Sequence, residues 1–389
     1  MSGRLFHAVV ILAPLALGAL LGVELAARLG NAGAPRLAVP GWLGVAVAAV
    51  GLGVLAAVVA RPASTHQIIG SGGGAPVGSV AEQLFVRIGG VEQALMIRGR
   101  DSGAPVLLYL AGGTGGTDLG ALRRDATLEQ HFVVVAWDQR GAGRSYAALE
   151  PTDALTVDQL IADTLEVTDY LRARFGVEKV YLVGQSWGSL LAVLAAKQRP
   201  DLYHAVVGVG QMVNLRETDV TFWHDALAWA ERTGKTKLAD ALRANGPPPY
   251  ADITKYEPVV AHEHAWNRYP TLDTSHEMPG ALMVPEYSLI DKLNAFRGFL
   301  DTAHYLYPQL QDLDLRYDAA RLAVPYFLVL GEHEARGRAE PADAYFEALA
   351  APYKERYVVA GAGHRANFDS PARFAGIMLS VVETVGGLQ

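Results

Sequence analysis

From residue 80 onward the chain is dominated by short continuous apolar runs separated by longer stretches of helical periodicity. Val106 to Leu110, Phe132 to Trp137, Lys179 to Val183, Ala205 to Val209, Tyr326 to Leu330 and Arg356 to Ala360 are such runs. Strands covered on both faces read this way, because each face packs on a helix and no polar alternation survives. Leu84 to Ile88 and Gln93 to Ile97, joined across Gly89-Gly90, read instead as a hairpin. Leu160 to Phe175 repeats its apolar residues at helical spacing. The pattern predicts an α/β fold with a mostly parallel sheet, whose ligands bind beyond the carboxyl ends of the strands.

Ahead of this region the apolar pattern loses its period. Leu5 to Val23 and Gly41 to Ala60 are almost wholly apolar, and each approaches the roughly 20 residues that cross a bilayer as a helix. Residues 1–61 are therefore expected to form a two-helix transmembrane hairpin in contact with membrane lipid, with Trp42 at an interface. Ala32-Gly33-Ala34 resembles a signal-peptide cleavage site, but Pro35 follows it directly. Arg4 and Arg61 outside the hairpin balance Arg28 and Arg36 in its loop, so the free amino group tips both ends toward the cytoplasm. Residues 62–79 are Gly/Ser-rich and read as a flexible linker that buries nothing. The catalytic region is expected in two parts, 80–211 and 323–389, around a divergent helical middle at 212–322 that carries Trp223, Trp229 and Trp266.

Composition narrows the chemistry. A net charge of −7 with no basic run argues against a nucleic-acid partner. The absence of cysteine among 389 residues removes disulfides and thiolate nucleophiles. Thr233-Gly234-Lys235-Thr236 lacks the leading glycine of a phosphate loop, since that position is Trp229, and neither His262-Glu263-His264 nor His333-Glu334 has zinc-protease spacing. No metal or nucleotide cofactor is expected.

Gly184-Gln185-Ser186-Trp187-Gly188 joins one of the apolar runs to a helix-like run, Leu190 to Lys197. Gly-x-Ser-x-Gly at a strand-to-helix junction is a nucleophile elbow, in which strained backbone holds the serine hydroxyl in the open. That hydroxyl needs a base to take its proton, and the base needs an acid to orient it. His364 follows the last apolar run, and Glu334 follows the run before it, with Glu332 and Glu340 as rivals. A tetrahedral oxyanion needs two preorganised N–H donors. Trp187 supplies one. The glycine-rich loop Ala111 to Gly116 supplies the other, from Gly113 or alternatively Gly112.

With the elbow, the glycine loop and Asp138-Gln139-Arg140-Gly141-Ala142-Gly143-Arg144-Ser145 in hand, the chain resembles the α/β-hydrolases. It most resembles their proline iminopeptidase (prolyl aminopeptidase) branch, from about Val80 to the C-terminus apart from the middle. Ala111 and Thr114 stand where that branch usually carries His and Pro, and Glu334 where it usually carries Asp. The resemblance implies an acyl-enzyme mechanism with Ser186, His364 and Glu334 as triad and Gly113 and Trp187 as oxyanion hole. It also implies that residues 212–322 form a helical cap, in which Glu263 is a candidate carboxylate for a substrate amine. The implied substrate is a short peptide or small molecule; an esterase or lipase acting on acyl esters, and a catalytically inactive binding module, are the alternatives.

Overall fold

The computed structural model describes residues 49–53, 56, 57, 60–70 and 72–388. The first apolar run and most of the second lie outside these residues, and with them the expected membrane hairpin. Among the described residues no helix is long and apolar enough to cross a membrane. The chain divides into two units. Residues 65–284 with 294–389 form the larger one, and the described residues up to Ser64 with Pro285–Leu293 form the smaller. Within the smaller unit the Ser64 N–H donates to the Pro285 carbonyl at 3.0 Å.

The larger unit is built on one eight-stranded sheet. Its strands are β1 (Val80–Ile88), β2 (Val91–Gly99), β3 (Val106–Leu110), β4 (Val133–Asp138), β5 (Val180–Gln185), β6 (Tyr203–Val209), β7 (Tyr326–Gly331) and β8 (Lys354–Val359). They lie in the order β1-β2-β4-β3-β5-β6-β7-β8. β1 pairs antiparallel with β2, and β2 with β4, while every later pair is parallel. The parallel strands β3 to β7 are buried at every residue but one, His204, as expected where helices cover both faces.

The α-helices of five or more residues in this unit and at its junctions are α1 (Leu119–Arg124), α2 (Val157–Phe175), α3 (Trp187–Gln198), α4 (Leu215–Arg232), α5 (Thr236–Asn245), α6 (Leu289–Leu310), α7 (Arg336–Ala348) and α8 (Pro371–Leu388). α2 starts where Thr156 caps the Gln159 N–H and stops at left-handed Gly176, so both ends are written into the local sequence. α3 is buried from Trp187 to Ala196, which fixes the helix after the elbow in the middle of the core. Burying each Leu or Val there contributes about 1.5–3 kcal/mol. α4, α5 and α6 fall between β6 and β7, together with short helical turns at Glu257–Val260 and Glu263–Trp266.

One expectation is corrected. The stretch ahead of β1 does not stand free of the core. The buried Arg98 guanidinium donates to Thr65 Oγ1 at 2.6 Å and to the His66 carbonyl at 2.7 Å, and Ile68 is buried. Arg98, already paired with Glu129 at 2.6 Å, has donors left over after one carboxylate, and the chain entering from residue 65 satisfies them. Glycine and serine content marks residues 70–74 but says nothing of the segment just before them.

Candidate active site

Ser186 is the only non-glycine residue with a left-handed φ among the described residues, at φ 53° and ψ −120°. Such a backbone costs of order 1–3 kcal/mol and persists only where the surroundings over-determine it. They do so here. The Ser186 N–H donates to the Val209 carbonyl at 2.9 Å, and the Ser186 carbonyl accepts from the Ser189 N–H at 2.9 Å and its hydroxyl at 2.5 Å. The two elbow glycines are places of close approach. A Cβ on Gly184 would lie 2.2 Å from the Gly188 carbonyl oxygen, and one on Gly188 would lie 2.1 Å from that of Leu110. Trp187 is the first residue of α3, so its N–H belongs to the helix turn whose donors have no intrahelical acceptor.

His364 stands on the loop after β8, and Glu334 on the loop after β7. The His364 Nδ1 and Glu334 Oε2 lie 2.8 Å apart. A carboxylate only accepts, so Nδ1 carries the proton and Nε2 is left as the basic nitrogen. The Glu334 side chain is 1% exposed. Burial is the largest influence on it and acts to raise its pKa, but Arg338 and His364 together outweigh burial and lower the carboxyl to about 2. Arg338 Nε donates to Glu334 Oε1 at 2.8 Å, and the Ala335 N–H donates to the same oxygen at 3.0 Å. The rivals point elsewhere. Glu332 is exposed and its carboxylate accepts from the Gly361 N–H at 2.8 Å, and Glu340 is exposed on α7.

In the glycine loop the Gly112 N–H is directed to Asp118 Oδ2 at 3.3 Å, while Gly113 is left-handed at φ 67°. The Asp138–Ser145 segment braces this end of the sheet. Asp138 accepts from Thr117 Oγ1 and from the Arg144 N–H, and Arg140 makes a two-bond ion pair with Asp163 at 2.8 and 3.0 Å. Gln139 Oε1 accepts from the Trp187 indole Nε1 at 3.0 Å, fixing the residue that follows the serine.

Ser186, His364, Gly113 and Glu263 all line one cavity of about 560 Å³. Trp187 and Glu334 are buried behind it. Glu263, the sequence candidate for an amine-binding carboxylate, is ion-paired with Arg338, so its charge is already met. Sequence reasoning missed Arg338, and it also missed Glu277, whose carboxylate sits in the same wall 2.8 Å from His264 Nε2. Burial acts to raise the Glu277 pKa, yet the His264 contact prevails and lowers it. The one signal for Arg338 was its i,i+4 spacing from Glu334. Glu277 lies in an irregular stretch with no periodicity to mark it. Val260, Phe296, Phe299 and Leu300 form an apolar wall of the cavity. Among the described residues no cluster of His, Asp and Glu is arranged to hold a metal.

This sheet order, with a strained serine between the fifth strand and its helix, defines an α/β-hydrolase. The chain belongs to the alpha/beta hydrolase fold family, whose model matches residues 105–371, and is a hydrolase of its proline iminopeptidase-like branch. It is 30% identical over 308 residues to the probable aminopeptidase YbaC of Bacillus subtilis (strain 168), spanning 76% of this chain and 95% of that protein. It is 37% identical over 103 residues to a proline iminopeptidase of Xylella fastidiosa (strain Temecula1), a match of 26% of this chain and 31% of that one. The fold is shared with a proline iminopeptidase-related protein from Thermus thermophilus, at a TM-score of 0.51 and 22% identity over 79% of this chain and 98% of that one.

Proposed function

We propose that the chain is a serine hydrolase that works through an acyl-enzyme. Ser186 Oγ attacks the substrate carbonyl while His364 Nε2 takes the hydroxyl proton, then delivers it to the leaving group. Water, activated by the same nitrogen, releases the acyl group from Ser186. Glu334 holds the imidazole in register, and the N–H groups of Trp187 and Gly113 receive the oxyanion. The observation that carries this reading is the left-handed Ser186 sharing one cavity with a His364 that is bound to buried Glu334.

The leading substrate class is a short peptide with a free amino end, as the likeness to the probable aminopeptidase supports. Amide cleavage asks for protonation of a poor leaving group and for the substrate amine to be held in register. Glu263 is bound to Arg338, a permanent cation, and Glu277 to His264, a weaker partner, so Glu277 is the carboxylate assigned to that amine. A second reading, an ester of an acyl chain, is favoured by the apolar wall of Val260, Phe296, Phe299 and Leu300. The apolar runs at 5–23 and 41–60 support tethering to a membrane; release of the full chain by alkaline carbonate would sink that part of the proposal.

A fluorophosphonate probe tests the chemistry: it labels the wild type and spares Ser186→Ala, and equal labelling of both refutes the nucleophile. A panel of aryl esters and prolyl or alanyl arylamides, with and without a blocked amino group, separates the substrate classes. Arylamide turnover that vanishes on blocking and falls with Glu277→Gln supports the peptidase. Ester turnover indifferent to blocking, without arylamide turnover, replaces it by the esterase.

A further inference from the structure

We infer that Arg338 is a positioning residue of the hydrolytic machinery: held between Glu334 and Glu263, it sets how firmly Glu334 holds the His364 imidazole, with Glu263 as its counterweight. The inference rests on the serine-hydrolase reading above.

The geometry is that of one cation shared by two carboxylates. Arg338 Nε donates to Glu334 Oε1 at 2.8 Å, and its Nη2 pairs with Glu263 Oε1. The guanidinium carbon lies 4.6 Å from the centre of the Phe222 ring, so the cation is held by the ring face as well as by its anions. The side chain is 8% exposed and that of Glu334 is 1% exposed, against 20% for Glu263, which faces the cavity. Little water reaches the Glu334 end, so charge–charge effects are screened there far less than at a surface.

Other charges surround the group. His364 bonds Glu334 from the loop after β8, and the His264–Glu277 pair stands in the cavity wall. Arg338 also acts at longer range on His264 and on Asp219 of α4, itself bonded to Tyr307. Neither substitution removes any of these charges, so the sign of each follows from the single charge it takes away. Glutamine at 338 removes one positive charge beside Glu334. The carboxylate is then uncompensated on that side, and His364 is more readily protonated. Glutamine at 263 does the reverse. It frees Arg338 from its second anion, strengthens its pull on Glu334, and makes His364 harder to protonate.

A clamp that only supports the fold would change stability or overall rate without moving the pH dependence in opposite directions. The full-length protein is therefore assayed with a neutral short-chain aryl ester, which needs no amine contact, and kcat/KM is followed with pH. Its acid limb reports the free enzyme. For Arg338→Gln the acid limb moves to higher pH by about half a unit or more, and for Glu263→Gln it moves to lower pH by a similar amount. The double variant returns near the wild-type position, and so does Arg338→Lys, which keeps the charge. If Arg338→Gln does not fold by circular dichroism, Glu263→Gln decides alone, and a limb that stays put or moves upward overturns the inference. Ester turnover that survives Ser186→Ala overturns the serine-hydrolase reading itself. Serine-dependent turnover with unmoved limbs overturns only the role of Arg338.

Discussion

Two regions border the cavity, the elbow end of the sheet and the helical segment between β6 and β7, and they hold their buried charges differently. On the sheet side Asp163 of α2 is met by a cation. Arg140 donates to it twice, at 2.8 and 3.0 Å, and Gln93 and Gln159 complete its bonds. On the segment side Asp219 of α4 is met by neutral donors, Tyr307 at 2.8 Å and Gln311 at 3.0 Å. Burial pushes the Asp219 carboxyl from its ordinary 3.8 up to about 7, against the partial help of those bonds and of Arg338. An ion pair holds the buried charge in one region, whereas the other carries a group that titrates near neutral pH.

The largest effects are expected where the elbow itself is broken. Ser186→Ala and His364→Ala each lower kcat/KM by on the order of 10⁴-fold or more, to similar extents, because the two act as a unit. Single-turnover measurement with an aryl ester checks this, and unequal losses separate the two groups. Glu334→Gln costs less, while Glu332→Gln leaves activity near wild type, since the Glu332 carboxylate faces Gly361.

Next comes the ion pair. Arg140→Met leaves Asp163 charged, fully buried and without its cation, and breaking such a pair costs about 3–5 kcal/mol. Urea unfolding with an unchanged slope and a lower midpoint is the expected result. A loss below about 1 kcal/mol would mean that Gln93 and Gln159 suffice, and the contrast with Asp219 would collapse.

The elbow side was largely legible in the sequence and the segment side was not, for a physical reason. At the elbow every constraint is local or strand-register in kind. Gly184 and Gly188 are needed by contacts within a few residues or on the adjoining strand, and Ser186 sits where an apolar strand meets a helix. His364 follows from strand order, which also places the acid after β7 but leaves Glu332 and Glu340 as rivals of Glu334. For the segment between β6 and β7 the decisive contacts join distant positions with no shared period, within it as in Asp219 with Gln311, or to α7 as in Glu263 with Arg338. Glu263 was a candidate amine-binding carboxylate of the cap from sequence, but its partner was out of reach of any pattern. The same holds for residues 65–68, whose tie to Arg98 depends on a guanidinium more than 30 residues away.

That tie gives a smaller and sharper prediction. A chain begun at residue 80 loses the Thr65 and His66 acceptors of Arg98 and the burial of Ile68. One begun at residue 62 keeps them. The shorter protein should be less stable by about 1–2 kcal/mol, read as a lower thermal midpoint at equal activity per folded molecule. Equal midpoints would show that water replaces both acceptors at no cost and would restore the expectation of an idle linker.

The smallest effect falls on Asp219, and its sign is fixed by linkage. The carboxyl binds its proton more tightly folded than unfolded, with the folded value near 7 and the ordinary value at 3.8. Between those values the folded state carries the extra proton, so stability falls as pH rises, and it levels off above about 7. Below about pH 4 both states are protonated and the group contributes no slope. Carboxylates held low, Glu334 among them at about 2, oppose this only in acid, where their stabilisation is lost as pH falls from the ordinary value of 4.5 toward 2. The window from about pH 5 to 7 therefore isolates Asp219 from them. Asp219→Asn cannot ionise, still accepts from Tyr307 through its amide oxygen, and removes the slope. A 7% exposed residue has some access to water, so the difference in stability across the window is on the order of 1 kcal/mol, or about 2–4 °C in Tm. Calorimetry of both proteins at about pH 5, 6 and 7 reads it directly. Parallel pH dependence in the two would show that Asp219 stays ionised throughout, held by Arg338 after all, and the two regions would then hold their buried charges alike.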